Sequence, residues 1–471
     1  MAYSHFFITF FIFFLFETLV RASPIARREE LPAPVVQVLS LPSSSIEDES
    51  LLTSNLTTIA SAISNNSVSA EDASAAYISV LDAVVAGTDP SSIEKAISLA
   101  AAALAQATPP NIISYAAELK LKGTTSDTEL QKRRPGGIDS YLNNNKKNPS
   151  ATIYPKKSST DAPYSVPEAS LRAALYIPSS FKYGANGKVP VILVPGTAVS
   201  AGSSFENNLS PLLASSSFAD PLWVNIPGTS LGDVQISAEY VAYAINYISS
   251  ICGSRKVAVV TWSQGSLNTQ WGLKYWPSTR DAVSDFVALS PDFHGSMTAD
   301  ILCPLLGLFG CTPSVMQQRY NSKFIATLRG KGGDSAFVPT TTVYSGTDEV
   351  VQPQRGKTAS GYIQDSRSIG VSNNYVQDLC PGQVAGKTVL HGGILYNALA
   401  WALIEDALTH DGPGKTSRLS LSKVCKQAAA PGLTAVDVIA THGSTNINAA
   451  LNILMYVIKG KKEPSMKAYA I

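Results

Sequence analysis

The chain has 471 residues, 45% hydrophobic and 15% charged, enough apolar sequence for one large core with accessory segments or for two domains. Its 36 basic and 35 acidic side chains nearly cancel, so no global field draws a polyanion and nucleic-acid binding is excluded as a main role. Five histidines, and cysteines without ligand spacing, exclude a metal cluster.

In chain order, the first element is a targeting segment. Phe6–Phe16 is almost purely aromatic and aliphatic, the length of a signal-peptide core and too short to span a bilayer. Small residues in Val20-Arg21-Ala22-Ser23 suit cleavage after Ala22 or Ser23. Residues 1–22 therefore read as a signal peptide and the protein as secreted, with a retained signal anchor as the alternative. Residues 40–122 are rich in Ala and Ser with apolar residues at helical spacing, as in Ile93–Leu104. A basic pair, Arg27-Arg28, precedes this stretch, and Lys132-Arg133-Arg134 follows it just before Pro135-Gly136-Gly137. Residues 23–134 thus read as a helical pro-segment released at about Arg134, and 135–471 as the mature catalytic domain. A permanently attached helical domain is the alternative.

In an oxidising compartment most of the cysteines at 252, 303, 311, 380 and 425 pair, and the odd count leaves one over. Cys303 with Cys311 can close a small loop, Cys380 and Cys425 flank the segment carrying the proposed base, and Cys252 is the remainder, buried beside a helix end. Asn55, Asn65 and Asn208 begin Asn-x-Ser/Thr sequons, and only Asn208 lies in the proposed mature domain.

From Val189 onward, apolar β-branched runs alternate with helical patterns. Val191–Val194, Leu222–Ile226, Lys256–Trp262, Phe286–Leu289 and Pro339–Tyr344 read as strands; 235–251 and 264–276 read as helices. Runs apolar throughout suit strands buried on both faces, so the fold class is α/β with a mostly parallel sheet covered by helices.

The most informative stretch is Val257–Trp262 running into Ser263-Gln264-Gly265 and then a helix. A strand, a sharp turn at Ser and a helix form the setting of a nucleophile elbow, in which Gly265 allows close backbone packing and the helix N-terminus faces developing negative charge. Thr261 stands where the usual motif has its first Gly, so a side chain must fit the tight turn. An ordinary helix-capping Ser is the bland alternative. Chain order then narrows the partners to Ser, acid, His. His391, in Leu390-His-Gly-Gly393 ahead of a helical pattern at 394–408, has the access proton transfer needs; His410 and His442 are the other candidates. Asp348 follows the strand ending at Tyr344, and its neighbour Glu349 is the main competitor. Asp292 also follows a strand, but so closely that it reads as a polar group of the pocket. Thr197, in the loop after Val194, and the backbone N–H of Gln264 are the oxyanion donors this arrangement calls for.

These residues resemble the Candida antarctica lipase B type of fungal α/β-hydrolases. The matching stretches are Ile192-Leu-Val-Pro-Gly-Thr197, Thr261-Trp-Ser-Gln-Gly265 with Gln270-Trp-Gly-Leu273, Ser290-Pro-Asp292, Pro313-Ser-Val315 with Gln317-Gln318, and Thr347-Asp-Glu349 with Val351-Gln-Pro-Gln354, in the same order over roughly 165–425. The resemblance implies Ser263, Asp348 and His391 as the triad and Thr197 with Gln264 as the oxyanion hole. It implies that Trp262 and Ser204 line a small pocket, that Asp292 and Gln318 line the acyl side, and that Cys380 pairs with Cys425. It also implies carboxylic esters and triacylglycerols as substrates, a lipid–water interface as a possible place of work, a monomer, and no metal or organic cofactor. Val199 replaces a hydroxyl residue of the small pocket, and the family's N-terminal and final disulfides have no counterpart. The apolar segment Ile301–Gly310 reads as a rim or lid element, with a buried helix as the alternative. The competing functions are a peptidase or acyltransferase on the same scaffold, and a catalytically silent secreted surface protein.

Overall fold

The computed structural model describes residues 132, 134–300, 311–442, 444–445, 449, 452–453, 456 and 460–471. The expected signal peptide, nearly all of the expected pro-segment, and the segment Ile301–Gly310 with Cys303 lie outside the described residues. The chain divides into two compact units, one of residues 1–126 with 434–455 and one of 127–433 with 456–471. In the first, the described helix Ala435–His442 opens on a reciprocal cap: the Thr434 N–H and hydroxyl donate to the Asp437 carboxylate, and the Asp437 N–H donates to the Thr434 hydroxyl.

The second unit is built on seven strands: β1 (Leu175–Tyr176), β2 (Val189–Val194), β3 (Ala219–Val224), β4 (Val257–Trp262), β5 (Val283–Leu289), β6 (Thr340–Tyr344) and β7 (Val371–Tyr375). Their order across the sheet is β1-β3-β2-β4-β5-β6-β7, with β1 antiparallel and the remaining pairs parallel. All six residues of β4 are buried, as a strand covered on both faces requires. Two strands are additional to those expected: β1 and β7.

Helices cover both faces. The helix Val234–Ile251 begins at Asp233, whose side chain accepts from the Gln235 N–H, and the chain turns away through Cys252 and Gly253 at φ 73. All its residues but Ile236 are buried. Its burial is so complete because other chain lies over it: buried Glu239 accepts from the Ser165 N–H and hydroxyl, each at 2.6 Å, and from the Val166 N–H at 2.9 Å. The C-terminal tail is tied on as well, with the Lys467 N–H donating to Gln235 at 2.7 Å. Cys252 is free and buried at this helix end, where burial pushes its thiol up to about 12. Among the described residues no helix is long and apolar enough to cross a membrane.

The topology positions the site. From β2 the chain moves outward to β3, then returns to place β4 on the other side of β2. The loops after β2 and β4 therefore leave adjacent strands in opposite directions, which opens a crevice at the carboxyl ends of the sheet. Val194 pairs with Thr261, so Thr197 and Ser263 emerge side by side.

Candidate active site

Ser263 sits between β4 and the helix Gly265–Tyr275 in the left-handed region at φ 55, a conformation that costs a non-glycine residue about 1–3 kcal/mol. Its N–H is held by the Leu289 carbonyl at 2.9 Å. Gly265 is required: a Cβ there would lie 2.6 Å from the Val194 oxygen and 2.8 Å from the Pro195 oxygen. Thr261 fits the turn because its hydroxyl pairs with that of Ser266 at 2.7 Å.

The candidate acid and the candidate base sit on loops stitched to one another. Thr347 donates its hydroxyl to the Val389 carbonyl at 3.1 Å and accepts from the Val389 N–H at 2.8 Å. Asp348 then spends one carboxylate oxygen on the N–H groups of Val350 and Val351, at 2.9 and 2.8 Å, and sets the other 2.8 Å from His391 Nδ1. Glu349 accepts the backbone N–H of His391 at 2.9 Å. The adjacent acids divide the work, Asp348 on the ring and Glu349 on the main chain. The cystine Cys380–Cys425 brackets this histidine in sequence. Cys311 is also disulfide-bonded.

The charges around the imidazole act together. Burial pulls the His391 pKa down, but the charge and hydrogen bond of Asp348, with Glu349 and Asp292, more than offset it, so the net direction is upward. Burial likewise pushes Glu349 up, with Asp348 adding to the rise. Asp292 is fully buried, neither carboxylate oxygen has a hydrogen-bond partner among the described residues, and burial pushes its pKa up to about 7.

Contact between the elbow and the histidine runs through Trp262, whose indole N–H donates to the His391 carbonyl at 3.0 Å and whose ring centroid lies 5.0 Å from the imidazole. Among the described residues, no hydrogen bond joins Ser263 Oγ to the imidazole. Of the other candidate histidines, half-exposed His410 pairs with Asp406 at 3.3 Å, and His442 ends the helix Ala435–His442 of the first unit.

On the opposite flank, the Thr197 hydroxyl is 2.7 Å from Gln264 Oε1 and 2.9 Å from Gln318 Oε1. Neither the Thr197 N–H nor the Gln264 N–H donates to an acceptor among the described residues. Two free N–H groups, one from each loop of the crevice, suit an oxyanion. Ser204 lies in the short helix Ala201–Phe205, fully buried, and its hydroxyl is taken by the Ser200 carbonyl at 2.7 Å. Among the described residues no group of three or more His, Cys, Asp or Glu is placed to hold a metal ion. Asn208, which begins the sequon of the expected mature domain, is fully buried, caps the helix Leu209–Ser215 and donates to the Ser204 carbonyl at 2.9 Å.

Two groups escaped the sequence reading in the roles they take. They are Glu349, in its hold on the His391 main chain, and the Gln264 side chain, in its hold on Thr197 and Ser230. Both act through contacts with distant segments, for which the sequence carries no local signal.

No protein-family model matches the chain. Lipase B of Pseudozyma antarctica is 36% identical over 214 residues, which span 45% of this chain and 61% of that protein, under two thirds of its length. The crystal structure of Aspergillus fumigatus lipase B superposes with a TM-score of 0.74 at 45% identity, over 89% of this chain and 100% of that one. With the Aspergillus protein matched along its full length, the chain belongs to the lipase B type of fungal α/β-hydrolases, a family of carboxylic ester hydrolases.

Proposed function

We propose that this chain is a secreted serine hydrolase that cleaves carboxylic esters, triacylglycerols among them, through an acyl-enzyme on Ser263. The observation that carries the reading is the His391–Asp348 pair, tied through Trp262 to a left-handed Ser263 that is flanked by two unused N–H groups. His391 Nε2 takes the hydroxyl proton as Ser263 Oγ bonds to the ester carbonyl carbon. The negative charge moves to the carbonyl oxygen, where the N–H groups of Thr197 and Gln264 meet it, each worth about 3 kcal/mol of transition-state stabilisation. The carbon–oxygen bond to the alcohol then breaks and the imidazolium gives its proton to the departing alkoxide. Water repeats the sequence and releases the acid. Asp348 keeps the proton on Nδ1, so that Nε2 is the base, and stabilises the imidazolium. Alignment of Nε2 on Ser263 belongs to substrate binding, since catalytic hydrogen bonds tighten in the substrate complex.

Secretion rests on the Phe6–Phe16 segment, and release of the pro-segment on Lys132-Arg133-Arg134. The residues just past that run are well held, which supports a cut that leaves the mature fold intact. The Ile138 carbonyl takes the Trp223 indole N–H and the Asn225 amide, each at 2.7 Å, and the Asp139 carboxylate takes the Ser203 N–H at 2.8 Å. The mature chain acts as a monomer at a lipid–water interface.

The test is hydrolysis of p-nitrophenyl esters, triacylglycerols and peptide amides side by side, with and without an alcohol acceptor. Ester and triacylglycerol cleavage that disappears in Ser263→Ala with folding unchanged is the expected result. Retention of most activity in that variant overturns the assignment, and amide cleavage above ester cleavage moves the chain to the peptidases.

A further inference from the structure

The loop that carries Thr197 is held at one end by β2, whose Val194 pairs with Thr261 of β4, and runs at the other into the helix Ala201–Phe205. So short a helix cannot hold itself together, and its first N–H groups need partners from outside. Ser200 stands at the capping position, but its side chain makes no cap. The partners come from other segments. Asn225, after β3, accepts the N–H groups of Ala201 at 3.1 Å and of Gly202 at 3.4 Å on its amide oxygen. Asp139 accepts the Ser203 N–H on one carboxylate oxygen at 2.8 Å and the Ser203 hydroxyl on the other.

Both caps trace back to one short stretch of chain, Ile138 to Ser140. The Asn225 amide nitrogen donates to the Ile138 carbonyl at 2.7 Å and to the Ser140 carbonyl at 3.0 Å, which turns its oxygen toward the helix. Asp139, Ser203 and Asn225 are all buried. The stretch crosses the helix so closely that Gly202 admits no side chain: a Cβ there would lie 2.5 Å from the Ile138 oxygen and 2.6 Å from Asp139 Oδ1. Between this clamp and Thr197 lie Ala198, Val199 and Ser200. Ala198 is left-handed at φ 65, and it and Val199 are buried. A residue with a Cβ keeps that conformation only where its surroundings impose it, so both ends of the loop must be fixed.

We propose that Asp139 is a positioning residue for the loop after β2: its carboxylate clamps the helix Ala201–Phe205 and thereby sets the direction of the Thr197 N–H. A donor aimed at the oxyanion acts mainly in the transition state, so turning it aside lowers kcat and leaves KM nearly alone. The first residues past Lys132-Arg133-Arg134 thus serve the reaction from a distance, through main-chain geometry. This inference rests on the acyl-enzyme reading above.

The test compares Asp139→Ala with Asp139→Asn, in which an amide oxygen still accepts the Ser203 N–H. Turnover of a short p-nitrophenyl ester is expressed per active site counted by the acyl-enzyme burst, and a thermal melt reports folding. Ki is also measured for a trifluoromethyl ketone, whose adduct with serine carries an oxyanion. Outright loss of an oxyanion donor costs about 100-fold, so its displacement in Asp139→Ala should lower kcat about 10-fold, raise Ki about 10-fold and leave KM within about twofold. Asp139→Asn should keep kcat and Ki within about threefold of the parent, because the clamp on the Ser203 N–H survives. A residue that only stabilised the fold would change the number of active sites and not the Ki of each. Unchanged kcat per site in Asp139→Ala, a lowered kcat with unaltered Ki, a loss confined to KM, or an Asp139→Asn enzyme no better than Asp139→Ala overturns the inference. Should Asp139→Ala fail to melt cooperatively, Asp139→Ser is measured under the same criteria. Absence of a burst in the parent enzyme overturns the acyl-enzyme reading instead, so the two failures are distinguishable.

Discussion

The indole N–H of Trp262 donates to the carbonyl oxygen of His391 at 3.0 Å, across 129 positions of sequence. The residue before the proposed nucleophile thereby fixes the main chain of the residue proposed as the base. A donor lost from a buried carbonyl costs about 1–3 kcal/mol, and here the displacement falls on the imidazole. Trp262→Phe should therefore lower kcat by about 10-fold, beyond what its stability loss accounts for when activity is measured well below the melting temperature. Unchanged kcat would mean that the loop after His391 positions the ring without this bond.

The division of labour between the two acids predicts an asymmetry. Asp348→Asn presents an amide to Nδ1 and spoils the tautomer, so kcat should fall by about 10⁴-fold. Glu349→Gln keeps an oxygen for the His391 N–H, and the loss should stay within about tenfold. Steady-state kinetics on one ester checks both, and the reverse ranking moves the catalytic acid by one residue.

Asp292 predicts a pH effect with a definite sign. Burial raises its pKa to about 7 in the folded state, whereas in the unfolded chain the carboxyl ionises near its ordinary value. Its contribution to stability is complete below that ordinary value and is lost as pH rises through about 7. Above that pH its charge also favours the imidazolium of His391. Asp292→Asn should flatten the decline in melting temperature across this window and move the acid limb of kcat/KM to lower pH. A limb that stays in place, or moves upward, contradicts the electrostatic placement of this carboxyl beside the base.

Much of this architecture was legible because buried parallel strands write long apolar runs. β2, β4 and β5 did so, and the order Ser, acid, His then left few candidates for each role. β1 escaped because Leu175–Tyr176 is two residues long, too short for any period to register. β7, with the polar sequence Val-Ser-Asn-Asn-Tyr, lies at the sheet edge; of its residues only Asn374 is buried, and the Asn374 amide donates to its own strand at the Ser372 carbonyl and across to the Thr342 carbonyl of β6. The burial of Asn208 is not written in its sequon, because burial depends on what folds over the residue. The same limit hid the hub at Gln264, whose partners Thr197, Ser230 and Gln318 come from three separate segments. Long-range hydrogen bonds leave no periodicity behind them.

The central claim is that the Ser263 hydroxyl is activated by His391, and covalent labelling measures it most directly. The mature protein is treated with a p-nitrophenyl alkylphosphonate and its intact mass and tryptic map are recorded. The account predicts one phosphonyl group per chain, on the peptide containing Ser263, abolished in Ser263→Ala and slowed by orders of magnitude in His391→Ala. An unlabelled chain, a label on another residue, or labelling at full rate without the imidazole would contradict it.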